Sequence, residues 1–170
     1  MHATPFALRP ATLADADAAS ELLAASYAPL LDDPGYPPEA IARALPLMVR
    51  AQPWLLGSGT WYLAELPEGT LIGCGGWTAE RPGSAELEPG LAHLRHFGTH
   101  PAHLRRGVAR ALVEHCFAEA AALGRTRWEC WSSLPAVAFY ARMGFEVLER
   151  RSVSMGPELE LPAVLVGLQP

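Results

Sequence analysis

Two periodicities run along the chain. Phe6-Ala7-Leu8-Arg9 is extended and reads as a first strand. Thr12 stands three positions before Asp15, a helix-start signature, and Leu22, Leu23 and Tyr27 follow on one helical face. Asp32-Asp33-Pro34-Gly35-Tyr36 is a turn. Pro37-Pro38-Glu39 then opens a second helix carrying Ile41 and Leu45, which Pro46 is expected to end or kink. Thr60 to Leu66 and Leu71 to Trp77 are strand-like runs joined by Pro67-Glu68-Gly69-Thr70, a hairpin by its turn residues. Glu80 to Gly90 is a polar loop, and His93 to His100 a further strand. The clearest helix spans Arg105 to Leu123. Val108, Leu112, Val113, Cys116, Phe117 and Ala120 line one side of it, and Gly124 stops it. Thr126 to Trp131 is a strand, Pro135 to Met143 a short helix ended by Gly144, and Val147 to Met155 and Ala163 to Leu168 are the last strands. This order predicts a single α/β domain over 1–170, with a mixed central sheet of about seven strands and about four helices.

The bulk numbers narrow the classes. At 170 residues, half of them apolar, the chain has the size of one ordinary domain. A net charge of −5 disfavours a general nucleic-acid binder, which carries a basic stripe. Cys74, Cys116 and Cys130 are widely spaced and lie among apolar neighbours, so buried reduced thiols are expected instead of disulfides or zinc ligands. Met1-His2-Ala3-Thr4-Pro5 lacks the basic and apolar regions of a leader peptide, and no apolar stretch nears the roughly 20 residues that span a bilayer. The expectation is a cytoplasmic protein with no membrane partner.

One stretch departs from the acidic balance. In Phe97-Gly98-Thr99-His100-Pro101-Ala102-His103-Leu104-Arg105-Arg106-Gly107-Val108-Ala109-Arg110 a strand runs through an Arg- and Gly-containing turn straight into the clearest helix. The first amides of a helix lack internal partners and sit at the positive end of its dipole, so such a junction attracts phosphate. Gly107 lets a ligand approach the backbone, Ala109 is small, and Arg105, Arg106 and Arg110 add charge. A pyrophosphate fits, and so does a plain strand-to-helix turn with solvated arginines. No Gly-Lys-Ser/Thr follows and Gly-x-Gly-x-x-Gly is absent, which disfavours a Walker loop and a dinucleotide-binding oxidoreductase.

The second informative stretch is Ser133-Leu134-Pro135-Ala136-Val137-Ala138-Phe139-Tyr140-Ala141-Arg142-Met143-Gly144-Phe145-Glu146. With the first, it resembles the cofactor-binding half of the GNAT N-acetyltransferase superfamily over residues 93–146. Leu104-Arg105-Arg106-Gly107-Val108-Ala109 is similar to that family's Arg/Gln-x-x-Gly-x-Gly/Ala loop, and Phe139-Tyr140-x-x-x-Gly144-Phe145 to its Asn-x-x-Ala-x-x-Phe-Tyr-x-x-x-Gly-Phe segment. Leu104 stands where Arg or Gln is usual, and Ser133 where Asn is common.

The resemblance implies an acetyl-CoA-dependent transfer of an acetyl group to a primary amine by direct attack. It implies acetyl-CoA as cosubstrate, an amine-bearing acceptor as partner and no metal. Backbone groups of Phe97, Gly98 and Thr99 would pair with the pantetheine arm. The pyrophosphate would rest on Arg105, Arg106, Gly107, Val108, Ala109 and Arg110, with Ser133 near the arm. Tyr140 would protonate the departing thiolate. Several relatives place a glutamate base eleven residues before the loop's first position, which here is His93; His96, on the other strand face by simple alternation, is the alternative base, and some relatives need only a water chain. Family members bind the acceptor between the first two helices and the strands beyond, here roughly residues 26–54. That points to Tyr27, Tyr36 and Trp54, with Asp32, Asp33 and Glu39 to attract a cationic amine, and to Trp77 from a strand. Many relatives are dimers, so a homodimer is an expectation.

Two other readings remain open on the residues. A non-catalytic acyl-CoA sensor would keep the cradle without a working base. A metal on His93, His96, His100 and His103 is disfavoured, because alternation splits them between faces and no acid or thiol joins them.

Overall fold

The computed structural model describes residues 5–170, so the leader-peptide reading of Met1 to Thr4 lies outside the described residues. Four strands come first in the sheet, and each neighbour is antiparallel to the last: β1 (Ala7–Pro10), β2 (Trp61–Glu65), β3 (Leu71–Thr78) and β4 (Leu91–Thr99). A parallel neighbour cannot be reached by a tight turn, and the chain crosses over through α4 (Val108–Ala122) to place β5 (Arg127–Ser132) parallel to β4. After α5 (Val137–Arg142), the hairpin of β6 (Glu146–Gly156) and β7 (Leu159–Leu168) completes a seven-stranded sheet ordered β1-β2-β3-β4-β5-β7-β6. The mixed seven-stranded sheet read from the sequence is the sheet found.

Helices cover both faces. On one, α1 (Ala16–Tyr27) and the single turn α3 (Pro53–Leu56) bury Leu22, Leu23, Leu55 and Leu56 against Trp61, Leu63 and Cys74. Farther along that face α2 (Pro38–Met48) sets Ile41 and Ala44 against Leu159 and Leu161 of β7. On the opposite face α4 and α5 bury Val113, Cys116, Ala120 and Tyr140 against Trp77, Leu94, Trp128 and Phe145. Near the C-terminal end of α4, Glu119 accepts hydrogen bonds from the Tyr62 hydroxyl and from Trp77 Nε1, both at 2.6 Å. Each buried apolar side chain of this size contributes roughly 1.5–3 kcal/mol, so the two layers, not intrinsic propensity, hold the helices in place. All three cysteines are buried and unbonded to one another.

Three local expectations change. Pro46 lies inside α2 without ending it; it removes one late backbone bond, and the buried Ile41 and Ala44 keep the last turn seated. The Pro53–Leu56 turn brings the helices among the described residues to five. The helix expected from Arg105 starts at Val108, because Arg105 (φ 59°) and Gly107 (φ 79°) are both left-handed, which no helical residue can be.

Candidate active site

The sheet opens in its middle. β4 pairs with β5 only from Leu91 to His93, against Arg127 to Glu129; from Leu94 on, β4 pairs with β3 alone while β5 continues beside β7. A bulge causes the divergence. Between the pairs Cys74–Gly98 and Gly76–Arg95, β3 advances two residues and β4 three, and the surplus falls at His96, whose φ is 54°. An extra residue bends the strand that carries it.

That extra residue also overturns the alternation read from the sequence. Arg95 donates to the hydroxyl of Thr78 (3.0 Å) and lies over the Trp54 ring of α3 (4.8 Å). His96 Nε2 donates to the Met48 carbonyl at the end of α2 (2.7 Å), and a Cβ on Gly98 would touch Leu23 and Ser26 of α1. His93 stands opposite Thr78 and beside Glu129. His93, Arg95 and His96 therefore share the α1 face, and the two histidines are not on opposite faces.

The open edge of β4 is partly capped by α1. His100 donates its amide to the Ile72 carbonyl of β3, so the amide of Thr99 points away from β3, toward the gap. There it donates to Ser26 Oγ (3.0 Å), and the Tyr27 hydroxyl donates to the Phe97 carbonyl (2.8 Å). Phe97 retains a second lone pair for a ligand. The Thr99 donor is taken.

At the wide end of the gap sits the loop before α4. The first helical bond runs from the Ala111 amide to Gly107 O, and among the described residues nothing accepts from the amides of Val108, Ala109 and Arg110. Val108 is buried, lying where a Cβ on Gly73 would be; that glycine lets the first turn of α4 come down on β3. Arg105 and Arg106 are exposed and, among the described residues, join no ion pair, while Arg110 pairs with Glu114 (3.5 Å). Three amides and neighbouring guanidiniums make a donor set that fits a diphosphate. The left-handed Arg105 costs of order 1 kcal/mol, strain of the kind found at ligand sites. Leu104 is largely exposed beside the loop and supplies no donor, and Ser133 precedes a helical turn without capping it.

Several titratable groups lie toward the narrow end. Tyr140 is buried on α5; burial raises its pKa far above that of a free phenol, helped by the Cys130 thiol beside it and by Tyr27. Burial likewise pushes the Cys130 thiol to about 11. His93 is lowered to about 4, first by burial and then by the Arg81 and Arg95 guanidiniums; its Nδ1 is 3.9 Å from Glu129 Oε2. His96 is lowered by burial, against the pull of its bond to Met48.

A cavity of about 740 Å³ opens on the α1 face, lined by Trp54, Thr60, Thr78, Arg81 and Arg95 with the loop after β3; Arg81 and Arg95 are the guanidiniums that act on His93. Of the aromatic residues expected around an acceptor, Trp54 and Trp77 border it and Tyr27 and Tyr36 do not; the Trp77 indole N–H points to Glu119 of α4. Tyr36 is core: it is buried, and its hydroxyl accepts from the Leu134 amide (2.9 Å). Tyr27 faces β4. The acidic pocket expected near them is not what lines this cavity. Among the described residues, no three His, Cys, Asp or Glu side chains gather as a metal's ligands.

The family described as an acetyltransferase (GNAT) domain matches residues 57–147, more than half of the chain. The chain belongs to the GNAT acetyltransferase family. No curated sequence matches it. Among solved structures, a GCN5-related N-acetyltransferase from Rhodopseudomonas palustris is 24% identical with a TM-score of 0.72, covering 98% of this chain and 97% of its own. PaiA N-acetyltransferase from Thermoplasma acidophilum, in complex with coenzyme A, is 13% identical with a TM-score of 0.69 over 96% and 98% of the two chains. The ribosomal-protein-S18-alanine N-acetyltransferase from Escherichia coli is 18% identical with a TM-score of 0.61 over 96% and 93%. At these identities the likeness is one of fold, and in the first of these structures it extends over 98% of this chain.

Sequence reasoning passed over Arg95, Glu129 and Ser26 in this GNAT site. Arg95 lay within the marked region, but only the bulge turns it to the same face as His96. Glu129 and Ser26 reach the site from other elements, and no local spacing marks them.

Proposed function

We propose that this GNAT protein transfers the acetyl group of acetyl-CoA to the primary amine of an acceptor by direct attack. One observation carries the reading: the gap where β4 leaves β5 ends at three unpartnered helix amides, a slot with a phosphate anchor at its mouth. Acetyl-CoA supplies an activated carbonyl and a thiolate leaving group. The amides of Val108, Ala109 and Arg110, with Arg105 and Arg106, hold the diphosphate, and Phe97 and Gly98 flank the arm. The neighbouring structure that contains coenzyme A supports the same cosubstrate here.

An ammonium has no lone pair, so the acceptor's proton must leave first. His93 is unprotonated at neutral pH, but holding a proton on it costs about 3 kcal/mol more than on a free imidazole. It therefore relays a proton through water toward Glu129 instead of storing it. His96, whose Nε2–H is committed to Met48, is left with Nδ1 as its acceptor and is the alternative. Tyr140 keeps its proton across the working range and donates a hydrogen bond to the departing sulfur.

Thiol release from acetyl-CoA over a panel of amines, with calorimetry of CoA binding, tests this reading. Turnover and measurable CoA affinity are expected, with kcat falling about 100-fold in Tyr140→Phe. Absence of CoA binding refutes the site. Binding without thiol release on any amine makes the protein a sensor.

A further inference from the structure

The cavity beside the gap holds one cation without a counter-charge. Arg81 is surrounded by carboxylates, with Glu129 at 3.3 Å, Glu88 at 3.5 Å and Glu86 at 3.8 Å. Arg95 has none: among the described residues no carboxylate lies within ion-pair distance, and Glu80, on the cavity rim, acts on it only at longer range. Its guanidinium is nevertheless held, by the Thr78 hydroxyl on one nitrogen and the Trp54 indole under its plane. Burial lowers its pKa, the sign of a charge removed from water without a partner. A half-buried arginine usually meets a carboxylate, because desolvating a charge is costly unless it is paired. Its remaining N–H groups form a planar fork suited to two carboxylate oxygens. Trp54, the aromatic wall of the cavity, is half exposed.

Arg95 is also the last residue before the bulge, so it sits where the gap begins and on the face it shares with His93. We propose that the acceptor is an amino carboxylate, a zwitterion whose carboxylate docks on Arg95 and whose amine is thereby delivered to the narrow end of the gap. This rests on the acetyl-transfer reading and names the substrate class for it. The positive guanidinium adds a second effect: it favours the neutral amine over the ammonium, the form that attacks. Polyamines and other acceptors without an anionic group are disfavoured by the same charge.

The test compares α-amino acids with their C-terminal amides and decarboxylated amines as acceptors. In parallel, N-acetylamino acids and their amides are titrated calorimetrically into CoA-saturated protein, which reads binding even where turnover is slow. Carboxylates are expected to win by about 100-fold in kcat/KM and in affinity. Arg95→Met should erase that ratio without changing CoA affinity. Arg95→Lys, which keeps the charge but loses the fork, should keep less than about a tenth of it. Equal handling of acids and amides by the native protein, or a ratio that survives Arg95→Met, overturns the proposal while leaving acetyl transfer standing. Failure of the native protein to bind CoA instead overturns the reading beneath it.

Discussion

In the unfolded chain the imidazole of His93 titrates near its ordinary value, 6.5, whereas in the fold it is lowered to about 4. Acidification therefore perturbs it in a calculable way. Burial is the main cause, followed by the positive charges of Arg81 and Arg95, with Glu88 opposing. Because the folded value is depressed, the unfolded chain takes up a proton that the fold refuses. The contribution to stability is present above pH 6.5 and is lost as the pH falls through 6.5 toward 4. From these two values the loss is about 2 kcal/mol by pH 5 and about 3 kcal/mol by pH 4. His96 and Asp15 also titrate lower in the fold and destabilise in the same direction on acidification. Comparing the native protein with His93→Gln removes their contribution. Urea unfolding of both, in steps from about pH 7.5 to about pH 4, should show the native protein losing about 3 kcal/mol relative to the variant. A difference that stays constant across that window would refute the reasoning: either water reaches the ring or Glu129 fully compensates its charge.

Gly107→Ala places a Cβ at φ 79° with nothing within 4 Å, so its penalty is purely conformational, about 1–2 kcal/mol. That amount should appear as lost stability if the loop keeps its shape, or as roughly tenfold weaker CoA binding if it relaxes; denaturation and calorimetry together see both. Ser26→Ala leaves the Thr99 amide without its acceptor and should cost about 1–2 kcal/mol in the free protein, while CoA, which then meets a vacant donor, binds no more weakly. Glu119→Gln removes the charge from two short hydrogen bonds and should lower stability by about 1–3 kcal/mol, read by thermal or chemical unfolding.

What could be read without coordinates had local causes. The turn residues and periodicities of the strands, the apolar stripe of α4, and the Arg105–Ala109 and Phe139–Phe145 segments each carry their signal within a few residues. The bulge is different. It exists only because β4 spends three residues where β3 spends two, a comparison between strands that neither states alone. Every mistake about which face His96 occupies follows from counting along a single strand. Tyr36 misleads for a related reason: it looks like a pocket aromatic until α2 is seen to pack on β7, where the ring is sealed and its hydroxyl serves Leu134.

The paired bonds to Glu119 have a mechanical consequence for the far end of their helix. Twelve residues, about 18 Å of helix, separate that carboxylate from Gly107. Any axial creep of α4 that would raise or lower its leading amides must first pull Glu119 off Tyr62 and Trp77, which belong to two different strands. The rear of the helix thus acts as a fixed stop, and the height at which its front edge meets a diphosphate is set by the sheet.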